Sequence, residues 1–204
     1  LYYFSNCYPM KKTFILIHLF ILFIIFGSQA QTFDITRYGA KADGKTLNTK
    51  SIQAAIDACA KNGGGKVYVP AGKFLTGTIY LRANMVLDLE AGAVLKSSGR
   101  LQDLPLQPDS TRYLVVAKSL ENVGITGNGS IEGTGESDYG VPRNWQGTSP
   151  DFRYHLVVFD DCKQVNISDV LLKYSDMFTL LIHHCDGVKV EGITIQNNYF
   201  RANT

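Results

Sequence analysis

The sequence predicts an all-β chain folded as a right-handed parallel β-helix, three strands to a coil and about 23 residues per coil, with a short capping helix at its N-terminal end. Three observations carry that expectation. First, Val157-Val158-Phe159-Asp160-Asp161-Cys162 recurs as Leu180-Leu181-Ile182-His183-His184-Cys185, 23 positions on, and the pairs Val165/Val188, Ile167/Val190, Val170/Ile193 and Leu172/Ile195 keep the same offset. Second, the apolar residues inside one copy fall in three short groups, Thr179 to Ile182, Val188 to Val190 and Ile193 to Ile195, which alternate with period two and are rich in β-branched side chains. That pattern marks strands with one buried face, not helices. Third, a single amphipathic helical stretch precedes the repeats, where a solenoid needs its exposed edge and core covered.

Taken in chain order, residues 1–9 read as translated upstream residues with no structural role. Residues 10–30 read as a secretory signal peptide: Met10-Lys11-Lys12, an apolar run from Thr13 to Phe26, and small residues at Gly27-Ser28-Gln29-Ala30. The apolar run is shorter than the ~20 residues of a membrane span, so no membrane anchor is expected after cleavage. The expected location is therefore extracellular or periplasmic. Residues 31–204 read as the N-terminal part of one β-helix domain.

The chain has 204 residues, 20 Lys and Arg against 18 Asp and Glu, and a formal net charge of +2. Removing the signal takes two lysines and no acid, which leaves 18 of each sign. This balance, with basic residues scattered along the chain, excludes a nucleic-acid binder. Cys59, Cys162 and Cys185 remain beyond the signal, an odd number without zinc-site spacing, so neither a disulfide scaffold nor a structural metal is expected.

Ser51 to Ala60 places Ile52, Ala55, Ile56 and Cys59 on one helical face, entered through Asn48-Thr49 and stopped by Gly63-Gly64-Gly65. An earlier copy of the repeat lies at Val115 to Leu120, with Val123 and Ile125 following, 42 positions before the second copy. The extra length falls in Gly133 to Arg153, where Gly, Pro, Ser and Asp cluster around Trp145. Gly127, Gly129, Gly133 and Gly135 lack the strand-then-helix setting of a dinucleotide site and read as coil corners.

Several segments carry a resemblance. Phe33-Asp34-Ile35, Tyr38-Gly39-Ala40, Ala42-Asp43-Gly44-Lys45-Thr46, Asn48-Thr49 and Gly63 to Gly72 are similar to the entry segment of the pectin-lyase-like superfamily. Ile125-Thr126-Gly127-Asn128-Gly129-Ser130-Ile131-Glu132-Gly133-Thr134-Gly135 resembles a stretch of glycoside hydrolase family 28, the polygalacturonase family. The likeness runs from residue 33 onward. It implies inverting hydrolysis of α-1,4-galacturonosyl linkages in pectic polysaccharide, galacturonan or rhamnogalacturonan, by a monomer that needs no cofactor. It also implies three catalytic aspartates, the first in an Asn-Thr-Asp motif and two more in an Asp-Asp pair about one coil later. Ala202-Asn203-Thr204 matches the start of that motif, so the first catalytic aspartate is expected just after Thr204 and the chain as given is expected to be inactive. The acid and base of an inverting enzyme stand roughly 6.5–9.5 Å apart, a separation that neighbouring coils can supply. Departures at Tyr174-Ser175-Asp176-Met177-Phe178 and Arg153-Tyr154-His155 leave the choice of pectic polymer open. A calcium-dependent lyase and a non-catalytic β-helical carbohydrate binder are the rival readings.

Five residues are candidates for holding the sugar. Asn203 belongs to the motif, Asp176 sits in a turn before a strand, and Arg201 offers a guanidinium fork to a carboxylate. Tyr139 and Trp145, in the long loop, offer faces for a sugar ring. The 23-residue offset also sets Asp160 beside His183 and Asp161 beside His184, read as a ladder of corner residues, and Cys162 beside Cys185, read as either a disulfide or a stack of reduced thiols.

Overall fold

The computed structural model describes residues 31–134 and 153–197. The first coil holds β1 (Thr32–Asp34), β2 (Asp43–Leu47) and the helix α1 (Thr49–Lys61). Then come β3 (Gly65–Val69), β4 (Gly72–Thr76), β5 (Ile79–Tyr80), β6 (Met85–Leu89), β7 (Ala93–Ser97) and β8 (Tyr113–Lys118). The remaining strands are β9 (Glu121–Thr126), β10 (Ser130–Glu132), β11 (His155–Asp160), β12 (Lys163–Ser168), β13 (Leu171–Lys173), β14 (Leu180–His183), β15 (Asp186–Glu191) and β16 (Thr194–Gln196). They form three sheets: sheet A in the order β1-β3-β6-β9-β12-β15, sheet B in the order β2-β4-β7-β10-β13-β16, and sheet C in the order β5-β8-β11-β14. Each strand pairs parallel with the strand one coil away, in a right-handed β-helix.

The register bears out the sequence repeat: Val157 pairs with Leu180, Val165 with Val188, Leu172 with Ile195, and Val115 with Val157. The constant coil length does not hold. Gly65 pairs with Met85, Met85 with Val123, Val123 with Val165 and Val165 with Val188, so successive coils advance by 20, 38, 42 and 23 residues. The longer advances come from two excursions, one between β7 and β8 and the other between β10 and β11.

The core is a stack of inward ladders. Val67, Leu87, Ile125 and Ile167 rise through sheet A, Phe74, Leu95, Ile131 and Leu172 through sheet B, and Val115 and Val157 through sheet C, all buried. The corners repeat as well. Asn84, Asn122 and Gln164 stand at the same corner with φ of 58°, 54° and 52°, in the left-handed region. One such residue turns the chain sharply without interrupting the ladder, and Asn tolerates the conformation better than most. At the next corner Gly127 has a φ of 106°, and a Cβ there would lie 2.1 Å from the Leu89 carbonyl oxygen, so only glycine fits. The reading of Gly127 as a corner is thus borne out.

α1 buries Ile52, Ala55, Ile56 and Cys59, the stripe expected from sequence. It follows β2 where later coils place a sheet C strand, and it covers the edge of sheet C at β5. Gln53 does this directly: its Oε1 accepts from the Tyr80 amide at 2.9 Å and its Nε2 donates to the Tyr80 carbonyl at 3.0 Å. One amide side chain thereby satisfies both backbone groups of an edge residue. Arg82 and Asp57, 2.8 Å apart, hold the same joint.

Asn48 stands before the helix but does not cap it. Its side chain accepts from the Lys41 amide at 2.7 Å and donates to the carbonyls of Lys41 and Thr46 at 3.0 and 2.8 Å, while the residue is 1% exposed. The expected burial of one face in Val188 to Val190 and Ile193 to Ile195 is not met. Val188, Val190 and Ile195 are 37–40% exposed, because among the described residues no strand pairs beyond β15 and β16.

Candidate functional site

The outward face of sheet C carries aromatic and charged side chains in rows. Residues of one outward row come from three coils: Tyr113, His155 and Phe178 stack, with the imidazole nearly parallel to the Phe178 ring at 5.2 Å and 5.7 Å from Tyr113. A second row holds Tyr80, Val116, Val158 and Leu181. A third row, at the end of the strands, holds Lys118, Asp160 and His183.

Much of this face is covered. Tyr113, Val116, His155 and Val158 are buried, whereas Phe178 is 40% exposed. The open part is the edge where sheet C turns into sheet A. There a cavity of about 140 Å³ is lined by Tyr80, Arg82, Gln107, Val116, Lys118 and Leu120, among others. Gln107 reaches it from the first excursion and donates from Nε2 to the Tyr80 hydroxyl at 2.9 Å.

The same excursion anchors a charged network. Asp109 accepts hydrogen bonds from the Tyr113 hydroxyl and the Thr111 hydroxyl, and from Lys118 Nζ at 2.7 Å. Burial alone would raise the Asp109 carboxyl, but the bonds from Lys118, Thr111 and Tyr113 outweigh it and hold the group well below the usual carboxylate range. Burial likewise works against the Lys118 ammonium, and the bonds to Asp109 and Tyr113 win, raising it. Burial and then Asp109 push the Tyr113 phenol up. Burial pushes His155 down, which favours a neutral imidazole. The cavity is therefore edged by a fixed ammonium, with Arg82 on its wall.

Beyond Lys118 the ladder continues to Asp160, whose Oδ1 lies 2.9 Å from His183 Nδ1, and Ser119 Oγ donates to Asp161 at 2.8 Å. Asp160 beside His183 is as the repeat predicted. Cys162 and Cys185 also stack, as free thiols: the Cys162 amide points at Cys185 Sγ from 3.4 Å. Cys162 is buried, and burial raises its thiol.

Of the five sequence candidates only Asp176 falls within the described residues. It is 4% exposed, and its main-chain carbonyl accepts two bonds from the Arg153 guanidinium, one of them from Nε at 2.8 Å. Asn203, Arg201, Tyr139 and Trp145 lie outside the described residues. The groups that sequence reasoning missed, Tyr80, Gln107, Tyr113 and Lys118, share no motif. Applying the 42- and 23-residue offsets to outward as well as inward positions would have set Lys118, Asp160 and His183 in one row.

Residues 32–104 match the family described as rhamnogalacturonase A/epimerase, pectate lyase-like. The chain is 40% identical over 118 residues to an exo-poly-α-D-galacturonosidase of Dickeya chrysanthemi, covering 50% of this chain and 19% of that protein. It is 30% identical over 184 residues to a protein of Vitis vinifera named "Probable polygalacturonase", covering 82% of this chain and 37% of the relative. Its fold matches the family 28 exopolygalacturonase of Yersinia enterocolitica with a TM-score of 0.70 at 23% identity, over 85% of this chain and 40% of that one. The chain thus spans less than half the length of these relatives.

Proposed function

From a chain that carries a pectate lyase-like domain and has polygalacturonase homologues of glycoside hydrolase family 28, we propose that the whole protein hydrolyses pectic polysaccharide. The observation that carries this reading is the likeness to polygalacturonases over most of the chain, found in a β-helix whose sheet C edge holds a cavity with a fixed ammonium. Galacturonate presents one carboxylate per ring. To hold it, Lys118 would be shared with Asp109 at 2.7 Å and Arg82 with Asp57 at 2.8 Å, and Tyr80 offers a ring face to the sugar. The acid and base of the inverting reaction are proposed to lie after Thr204, following Asn203, with sugar binding proposed for the described residues. Arg201, Asn203, Asp176, Tyr139 and Trp145 remain proposed sugar contacts, and secretion through residues 10–30 remains the proposed route to the polymer.

The test is to incubate the whole protein with polygalacturonate and with rhamnogalacturonan, reading new reducing ends and near-ultraviolet absorbance together. Reducing ends without absorbance support hydrolysis. Absorbance from a new double bond would assign a lyase, and neither signal would leave a binder.

A further inference from the structure

We propose that Asp160, His183 and His184 form an open three-ligand site for a divalent transition-metal ion, with Zn²⁺ the ion the donor set suits. One ligand atom from each lies within 4.8 Å of the others, close to what a tetrahedral ion requires after small side-chain rotations. The placement is a product of the fold. Adjacent residues on a strand point to opposite faces, but His184 stands at the corner after β14 with a φ of 50°, in the left-handed region. That turn brings its ring to 3.7 Å from the His183 ring, centroid to centroid. Parallel pairing of β11 with β14 then sets Asp160 directly beside His183.

The chemistry favours a borderline ion. Two imidazoles and one carboxylate are the donor types zinc takes in open sites, whereas calcium and magnesium prefer an all-oxygen shell. His183 Nδ1 and Asp160 Oδ1 face each other at 2.9 Å, so with the ring proton on Nε2 both present lone pairs to one ion. The surrounding charge supports a cation. Lys118 approaches Asp160 to 3.9 Å, but its ammonium is already matched by Asp109 at 2.7 Å, and Asp161 adds a further carboxylate at this corner. Both histidines are exposed among the described residues, where β14 is the last strand of sheet C. The ion would join two coils through Asp160 on one and the histidine pair on the next.

The experiment is titration calorimetry of the full chain, carrying no polyhistidine tag, with ZnCl₂, followed by the absorption spectrum with Co²⁺. The expected result is one Zn²⁺ per chain and a Co²⁺ spectrum without the near-ultraviolet thiolate band that Cys185 would give. Asp160→Asn should weaken Zn²⁺ by more than the roughly 10- to 100-fold that losing an outer-shell partner costs. His184→Asn, which suits the left-handed corner, should weaken it at least as much, with unchanged circular dichroism. Stoichiometric binding that survives His183→Gln together with His184→Asn, a thiolate band, or no uptake by the unaltered chain would each overturn the proposal. All of these readouts are independent of pectin hydrolysis.

Discussion

Replacing Asn48 by Asp separates two roles that the sequence alone cannot tell apart. As a helix N-cap, Asp is about as good as Asn, and the exchange would change stability by only a few tenths of a kcal/mol. In the structure Asn48 instead ties down the segment before the helix. Its amide nitrogen donates to the carbonyls of Lys41 and Thr46, and its oxygen accepts from the Lys41 amide, all at a site 1% exposed. A carboxylate keeps the last of these bonds and loses the other two. Each lost bond costs about 1 kcal/mol, and placing a carboxylate at a residue 1% exposed, against two carbonyl oxygens, adds about 1–3 kcal/mol. The expected destabilisation is therefore about 3–5 kcal/mol. Urea unfolding of residues 31–204 followed by circular dichroism measures it, with Asn48→Ser as a second capping-competent variant expected to lose the same two donors. If Asn48→Asp unfolds within about 0.5 kcal/mol of the unaltered chain, Asn48 is an ordinary cap and the tie to residues 41–46 contributes nothing.

Three further outcomes are expected. Gly127→Val should leave little soluble protein, because its Cβ would overlap the Leu89 carbonyl at a φ of 106°; soluble yield and thermal unfolding report this. Asp43 is held down at about 2 by bonds from the Thr46 amide and hydroxyl and then the Lys45 amide. Its stabilising effect should thus be present above its unfolded value near 4 and fade as pH falls towards 2, so the stability gap between Asp43→Asn and the unaltered chain should close over that window in urea titrations. Tyr154 is fully buried and its hydroxyl oxygen accepts from the Thr134 amide at 2.9 Å, so Tyr154→Phe should cost about 1–2 kcal/mol and speed hydrogen exchange at Thr134.

The coil architecture was legible because one pair of coils, β11 to β13 and β14 to β16, is joined without a long insertion, so its side chains repeat at a fixed offset. The earlier coils were hidden by the excursion between β7 and β8, whose Pro105, Pro108 and Asp109-Ser110 mark a loop but blur the period. The capping helix was legible to its buried stripe, and the likeness to the polygalacturonase family held up. Corner residues were half legible: Asn and Gly advertise a left-handed turn, whereas Gln164, Tyr174 and His184 adopt one only because the ladders on either side impose it. The site was the least legible part. Tyr80, Gln107 and Lys118 reach the cavity from two coils and an excursion, so no local spacing joins them; of the five sequence candidates only Asp176 lies in the described residues, and it is buried.

The three corners of the coil differ in how much sequence they accept. After the first coil, the turn from sheet A to sheet B, as from β9 to β10, and the turn from sheet C to sheet A, as from β8 to β9, take only a few residues each time. The turn from sheet B to sheet C takes two between β4 and β5, fifteen between β7 and β8, and twenty-two between β10 and β11. Doubling such a segment costs only about 0.6 kcal/mol of closure entropy, and the parallel pairing on either side is indifferent to it. The molecule thus keeps its tolerance for new sequence at one border of the outward face of sheet C. Grafting a foreign segment there, after Ser97 or Glu132, is the route by which this scaffold could be given a different ligand while every rung stays in register.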